Sequence, residues 1–347
     1  FRRSLLALAV LGAHTMASAL TAADFGKVYE GAGTAVDLNN ASQVLVRDAA
    51  TFTVVDTTSG ARNTVGLSAE LTQAGYTTLT ANDLSNSGYV TGFVGNASGS
   101  TPFVWSAASG FRLIPTGFGG LFVNDSGVTV GASGTWSPAT GATTTLSIPG
   151  TVRAFNNAGQ IGYVSGFTPY PGNPGGSSQA GVMGPAGERV QSWFYSVSAP
   201  TGSPTVDDAY KMPDNLVLND ASVAVVGFGG VKSYSSYSTV YASPDATGAR
   251  AAGLAVSVNN KGQIVAQESG SALSSPFCGC YTDTLTGDAV DLSTVWGVSP
   301  LIRINDSGVI LQDKGATFAM YKAGAGTPPP PVEPPPPVVP VGTGTGL

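Results

Sequence analysis

The sequence is poor in the residues that most catalytic and metal sites are built from. It has one histidine, His14, two cysteines, and only 10% charged residues in 347. His14 lies in an amino-terminal stretch, "FRRSLLALAVLGAHTMASA", that has the form of a secretory signal: Arg2 and Arg3, an apolar run from Leu5 to Ala13, then Ala17-Ser18-Ala19 before a cut ahead of Leu20. The run is too short to span a membrane. Removal of residues 1–19 leaves 13 basic and 21 acidic side chains, a net charge of −8, and no histidine. A mature chain of this kind has no Ser-His-Asp or Cys-His arrangement and no imidazole metal site. It also lacks the basic footprint expected of a nucleic-acid binder. Catalysis, if any, falls to carboxylates, Tyr, Lys or the cysteines.

Helix-forming stretches are nearly absent, whereas 47 glycines mark a turn-rich, β-heavy chain. One turn recurs: "LNNASQV" from Leu38, "LSNSGYV" from Leu84, "VNDSGVT" from Val123, "FNNAGQI" from Phe155, "LNDASVA" from Leu218, "VNNKGQI" from Val258 and "INDSGVI" from Ile304. The positions after the leading apolar residue are 39, 85, 124, 156, 219, 259 and 305, with gaps of 46, 39, 32, 63, 40 and 46. Asn and Asp tolerate left-handed backbone and bond to nearby backbone groups. Gly88, Gly127, Gly159, Gly262 and Gly308 supply positive φ at the bulge of a short hairpin, with Ser42 and Ser222 in that place in the other two copies. Calcium is the competing explanation for so much Asn and Asp. The D-x-[DN]-x-[DN]-G pattern is never met, however, and each turn offers at most one or two side-chain oxygens.

A looser second half accompanies the turn: "ATFTVVDTTSGARNTVGL" from Ala50, "TPFVWSAASGFRLIP" from Thr101, "GTWSPATGATTTLSIP" from Gly134 and "SPFCGCYTDTLTGDAVDL" from Ser275. Each reads as strand, Gly-containing turn and strand. With the Asn-turn hairpin this makes four strands, and a period of about 44 residues is that of a propeller blade. The expected fold is all-β, a seven-bladed β-propeller of four-stranded blades over residues 20–326, followed by a Pro-rich tail or linker at 327–347. The last repeat is one strand short after "ATFAMYKAG", and "FGKVYEG" from Phe25 belongs to no earlier blade. Lys27 to Gly31 would therefore complete the seventh sheet and remove two exposed edges; the alternative is an open stack capped by Phe25 to Gly31.

The "N-[ND]-x-G-x-[VI]" hairpin alternating with a "PFVW"-like strand resembles the HAF-repeat family of bacterial exported propellers. Thr101-Pro102-Phe103, Ser275-Pro276-Phe277 and Ala316-Thr317-Phe318 hold the place of its His-Ala-Phe tripeptide, each without the histidine. The resemblance covers about residues 25 to 325. It implies an exported scaffold, secreted or at the bacterial cell surface, and no particular substrate.

The 63-residue gap holds an insertion, "FTPYPGNPGGSSQ" from Phe167 and "QSWFYSVSAPTGSPTVDDAYKMPDN" from Gln191. Long loops on a rigid scaffold commonly carry binding sites. Tyr170, Trp193, Tyr195, Asp207, Asp208 and Tyr210 are the candidate ligand residues, with aromatic faces for sugar rings and carboxylates for their hydroxyls. The competing reading packs Trp193 and Tyr195 into a blade core. Trp105, Trp136 and Trp296 read as packing between blades. Cys278 and Cys280 are a candidate disulfide, strained by its single intervening residue, with a redox switch or a metal as lesser readings. The tail from Thr327 has nine prolines in 21 residues, an extended spacer reaching on the order of 40 Å.

The sequence thus predicts a monomeric, non-enzymatic propeller that binds a glycan or an envelope protein. It predicts no cofactor, no metal, no catalytic residue, no nucleic acid and no membrane span in the mature chain. The alternative is a carboxylate-dependent polysaccharide hydrolase or lyase. Two carboxyl groups converging at one mouth of a central channel would favour that alternative.

Overall fold

The computed structural model describes residues 20–166, 168–169, 176–197, 211–230, 238–242, 250–252, 254–267, 279–283, 289–292, 296 and 300–325. The proposed signal and tail, and Tyr170, Asp207, Asp208, Tyr210 and Cys278, lie outside the described residues. Among the described residues the helical elements are short, notably the turn Ala22–Asp24 and the helix Ala69–Gln73, and no helix is long and apolar enough to cross a membrane.

The architecture is an all-β β-propeller of small, mostly four-stranded antiparallel sheets. Each sheet is a local meander. In the 34–66 sheet, for example, Thr34–Leu38, Gln43–Arg47, Thr51–Asp56 and Arg62–Gly66 pair in sequence order. The 78–113, 122–145, 211–252 and 254–291 sheets follow the same order. The 151–197 sheet carries an extra short strand, Thr168–Pro169, paired to Gly176–Met183, which also pairs along its length with the outer strand Arg189–Val197. In the last sheet Leu301–Ile304, Val309–Asp313 and Thr317–Ala323 are joined by Phe25–Ala32, whose partners run from Phe25↔Ala323 to Ala32↔Thr317.

Inner strands lie side by side: Thr34–Leu38 contacts Thr78–Leu84, which contacts Phe122–Val123, and so on to Leu301–Ile304, which contacts Thr34–Leu38. Most of them carry a bulge at the same place, two or three residues before the Asn turn, as between Ala35 and Asp37, Ala81 and Asp83, and Leu301 and Arg303. The bulge bends each strand and re-aims the residue that follows it.

The second strand of each sheet explains why the repeats contain continuous apolar runs. Val44 and Val46 face the 301–323 sheet, while Leu45 between them faces the 78–113 sheet. Val309 and Leu311 face the 34–66 sheet, and Ile310 the 254–291 sheet. Alternation sends successive side chains to opposite faces, and here both faces are covered. Each such side chain contributes about 1.5–3 kcal/mol on burial. Phe52, Phe103 and Phe318, all from the PFVW-like strand, are fully buried. Trp105 and Trp136 sit in clusters shared by two sheets, and Trp296 stacks on Tyr321 at 3.9 Å, as expected of packing between blades.

Candidate functional site

The Asn turns gather on one face around a polar central cavity of about 130 Å³. Each is closed by a bond from the amide of the Gly or Ser three residues on, such as Gly127 N to the Asn124 carbonyl at 2.9 Å. The left-handed residues are the five glycines named above together with Ser42 (φ 60) and Ser222 (φ 63), which are the only non-glycine residues with positive φ among those described. The left-handed backbone thus falls on the Gly and Ser positions expected from the sequence, and the Asn and Asp side chains serve hydrogen bonds. The first Asn of the pair fastens its own turn and the next sheet. Asn39 Oδ1 accepts the Gln43 amide at 2.9 Å while its Nδ2 donates to the Ser85 carbonyl at 2.9 Å. Asn156 reaches the Asn219 carbonyl, Asn219 that of Asn259, Asn259 that of Asn305, and Asn305 that of Asn39 in the same way. In the 78–113 sheet Ser85 takes the position: its hydroxyl accepts the Tyr89 amide, but it has no side-chain nitrogen to pass on.

The second residue forms a closed cycle. The amide of Asn40 donates to Asn86 Oδ1 (2.7 Å), Asn86 to Asp125 (2.7 Å), Asp125 to Asn157 (2.8 Å), Asn157 to Asp220 (2.8 Å), Asp220 to Asn260 (2.9 Å), Asn260 to Asp306 (2.8 Å) and Asp306 to Asn40 (2.8 Å). Side-chain amides add to it: Asn86 and Asn157 both donate to Asp125 Oδ2, and Asn40 and Asn260 both donate to Asp306 Oδ2. The three ring carboxylates thus face donors rather than one another.

Below the ring, Arg303 bridges two buried carboxylates from neighbouring sheets. Its Nε lies 2.6 Å from Asp37 Oδ1 and its Nη2 3.1 Å from Asp83 Oδ1. Asp37 Oδ2 also accepts the Leu84 amide (2.9 Å), and Asp83 Oδ2 the Val123 amide (2.8 Å). The Asp37 and Asp83 side chains are 2% and 9% exposed, while Arg303 keeps 35% of its surface toward the cavity. Burial, then the neighbouring Asp37 charge, pushes the Asp83 carboxyl well above its ordinary value, with Arg303 opposing. Burial disfavours the Arg303 cation, but the two carboxylates more than offset it and hold its pKa above the ordinary one.

Of the candidate ligand residues predicted from sequence, Trp193 is half-buried on the outer strand of the 151–197 sheet and packs on the cluster of Val164, Val182 and Leu216. That agrees with the core reading for this residue. Tyr195 lies on the same strand, paired with Ser178, and its neighbour Phe194 is 68% exposed. Cys280 pairs with Ala266 and Asp291 in the 254–291 sheet. Asp37, Asp83 and Arg303 were not singled out by the sequence. No group of three or more metal-ligating His, Cys, Asp or Glu side chains occurs among the described residues.

No protein-family model and no curated protein matches the chain. Among solved structures, it is similar to an uncharacterized protein of Listeria monocytogenes (TM-score 0.50, 7% identity, 83% of this chain and 90% of that one). More distant are AztD of Citrobacter koseri (0.34, 11%, 86% and 96%) and a calcium-binding protein, regucalcin, of Agrobacterium tumefaciens (0.29, 12%, 90% and 96%). At these identities the likeness is one of fold.

Proposed function

We propose that this chain is an exported, non-enzymatic binding scaffold: a seven-bladed propeller over residues 20–326, sealed by Phe25–Ala32, that holds a glycan or protein partner at or outside the cell envelope. Three observations support the blade count and the seal. Phe25–Ala32 supplies the fourth strand of the last sheet. The ring of amide bonds has seven members and returns to Asn40. Among the described residues the apolar side chains form seven clusters, each shared by two neighbouring sheets. An open row of seven sheets has six such interfaces, and a ring has seven. The signal-like amino end and the resemblance to the HAF-repeat family support export.

The observation that carries the non-enzymatic reading is the state of the carboxylates around the cavity. Asp37, Asp83, Asp125, Asp220 and Asp306 each accept hydrogen bonds from the scaffold itself. A general acid or base must reach the proton it transfers, and these groups are engaged in holding sheets together. The expected result is binding without turnover: the purified chain retains a ligand from a glycan and envelope-protein array and releases no reducing ends or unsaturated products from a polysaccharide panel. Failure to retain any ligand contradicts the proposal.

The convergence of Asp37 and Asp83 on one cavity favours a second reading, a carboxylate-dependent polysaccharide hydrolase or lyase with Asp83 as the protonated partner. Product release abolished by Asp83→Asn would establish it.

A further inference from the structure

A second, larger cavity, of about 610 Å³, opens on the Asn-turn face between the outer turns of the 34–66 and 78–113 sheets, and it reaches Asp125 of the ring. Its volume is within the roughly 300–1,000 Å³ typical of small-ligand sites. The aromatic wall is rigid. Trp105 is buried and packs edge-on against Phe52 at 5.3 Å. Tyr89 is half-buried and lies so close over Gly127 that a Cβ there would come within 2.9 Å of its ring.

The charged groups at the rim are already engaged. Asp56 Oδ1 accepts the amides of Thr58 and Ser59, Asp125 belongs to the ring, and Arg62 Nη2 donates to the Ala32 carbonyl. Neutral side-chain groups are left. Gln43 Nε2, the Asn63 side-chain amide and the Tyr89 hydroxyl line the cleft and have no partner among the described residues; Gln43 Oε1 is held by Asn39. An anionic ligand meets two carboxylates here, and a cation finds Asp56 Oδ1 and both Asp125 oxygens occupied and Arg62 at the same rim. A ligand with apolar faces and groups that both donate and accept hydrogen bonds fits the aromatic wall and the amides together.

We propose that this cleft is a subsite for a neutral oligosaccharide, with Tyr89 under a sugar ring and Gln43, Asn63 and the Tyr89 hydroxyl on its hydroxyls. The assignment rests on the binding reading above and gives it a location.

Titration of the purified chain with cellohexaose, chitohexaose and mannohexaose tests it by calorimetry. At least one binds the wild type, and Asn63→Ala and Tyr89→Phe, which leave the fold's packing in place, each weaken it several-fold, while Tyr89→Ala weakens it by about tenfold or more, the loss of roughly one stacking contact. Phe194→Ala, on the insertion, leaves affinity unchanged. Binding that survives the Asn63 and Tyr89 changes but falls in Phe194→Ala overturns the cleft and leaves the scaffold reading intact. Binding of none of the three hexasaccharides also overturns the cleft, and retention of an envelope protein by the same preparation then keeps the wider reading separate.

Discussion

The Asn and Asp of the repeated turn have two different tasks, and the second accounts for their alternation. Around the ring the order is Asn40, Asn86, Asp125, Asn157, Asp220, Asn260, Asp306. Each carboxylate has an amide on both sides, so donors and acceptors alternate. A cycle of odd length cannot alternate throughout, and here the like pair is Asn40 beside Asn86, both neutral. An Asp pair at that place would set two carboxylates against each other. The left-handed position gives a sharp contrast between two serines. Ser42 pays the steric penalty of φ 60 with no side-chain bond among the described residues, whereas Ser222 donates its hydroxyl to Gln160 Oε1 at 2.8 Å. Ser42→Gly is therefore expected to raise stability by about 0.5–1 kcal/mol in urea denaturation, and Ser222→Gly to change it by less, because relief of strain is offset by the lost bond.

At the same scale the buried Asp83 sets a pH dependence. Its carboxyl binds a proton more tightly folded than unfolded, so the stability it contributes is fully present below the unfolded value, about 3.9, and is lost as pH rises through the higher folded value. Urea midpoints measured from about pH 4 upward should decline across that window in the wild type, and the decline should flatten in Asp83→Asn. An unchanged slope in the variant would assign the titration to another group. None of this could be read from the repeat. The position two before the Asn is Asp37, Asp83, Phe122, Ala154, Val217, Ser257 and Arg303 in the seven copies. A charge cluster that occupies three copies of seven has no period, and only folding brings residues 37, 83 and 303 together.

At the scale of the strand, the sequence carried the turns well because their chemistry is local. The glycine or serine at the bulge, the apolar residue before the Asn and the apolar run after it each follow from backbone geometry or burial. The inner-strand bulges were not legible, since an extra residue leaves no compositional mark. Their trace is on the partner strand. Gly92 pairs with Ala81 beside the bulge, and a Cβ there would lie 1.9 Å from the Thr80 carbonyl oxygen. Backbone, unlike a side-chain tip, has nowhere to move. Gly92→Ala is expected to cost about 3 kcal/mol or more, lowering the thermal midpoint by several degrees, whereas alanine at Gly66, whose nearest neighbour would be 3.6 Å away, should be tolerated. The insertion after Phe155 was legible as an insertion, and Trp193 as a strand residue with one face on the core, but the candidates Tyr170, Asp207, Asp208 and Tyr210 lie outside the described residues.

At the scale of the molecule, stability is distributed among interfaces between sheets rather than within any one of them, as a repeat architecture requires. Each small sheet exposes two apolar faces and a polar turn, and neighbours cover all three. The gaps between turns in the sequence, 46, 39, 32, 63, 40 and 46, reappear as the separations of the hydrogen-bonded ring partners, and the backbone-amide bond of the ring that spans 266 residues joins the last turn to the first. That bond, from the Asp306 amide to Asn40 Oδ1, is the most direct probe of a sealed ring, because an exposed turn amide without a partner exchanges freely with solvent. Amide hydrogen exchange of the purified chain should show Asp306 protected to the same degree as Asn86 and Asn157, and Asn40→Ala should release it selectively. Exchange of the wild-type Asp306 amide at the rate of an unstructured peptide would contradict the ring.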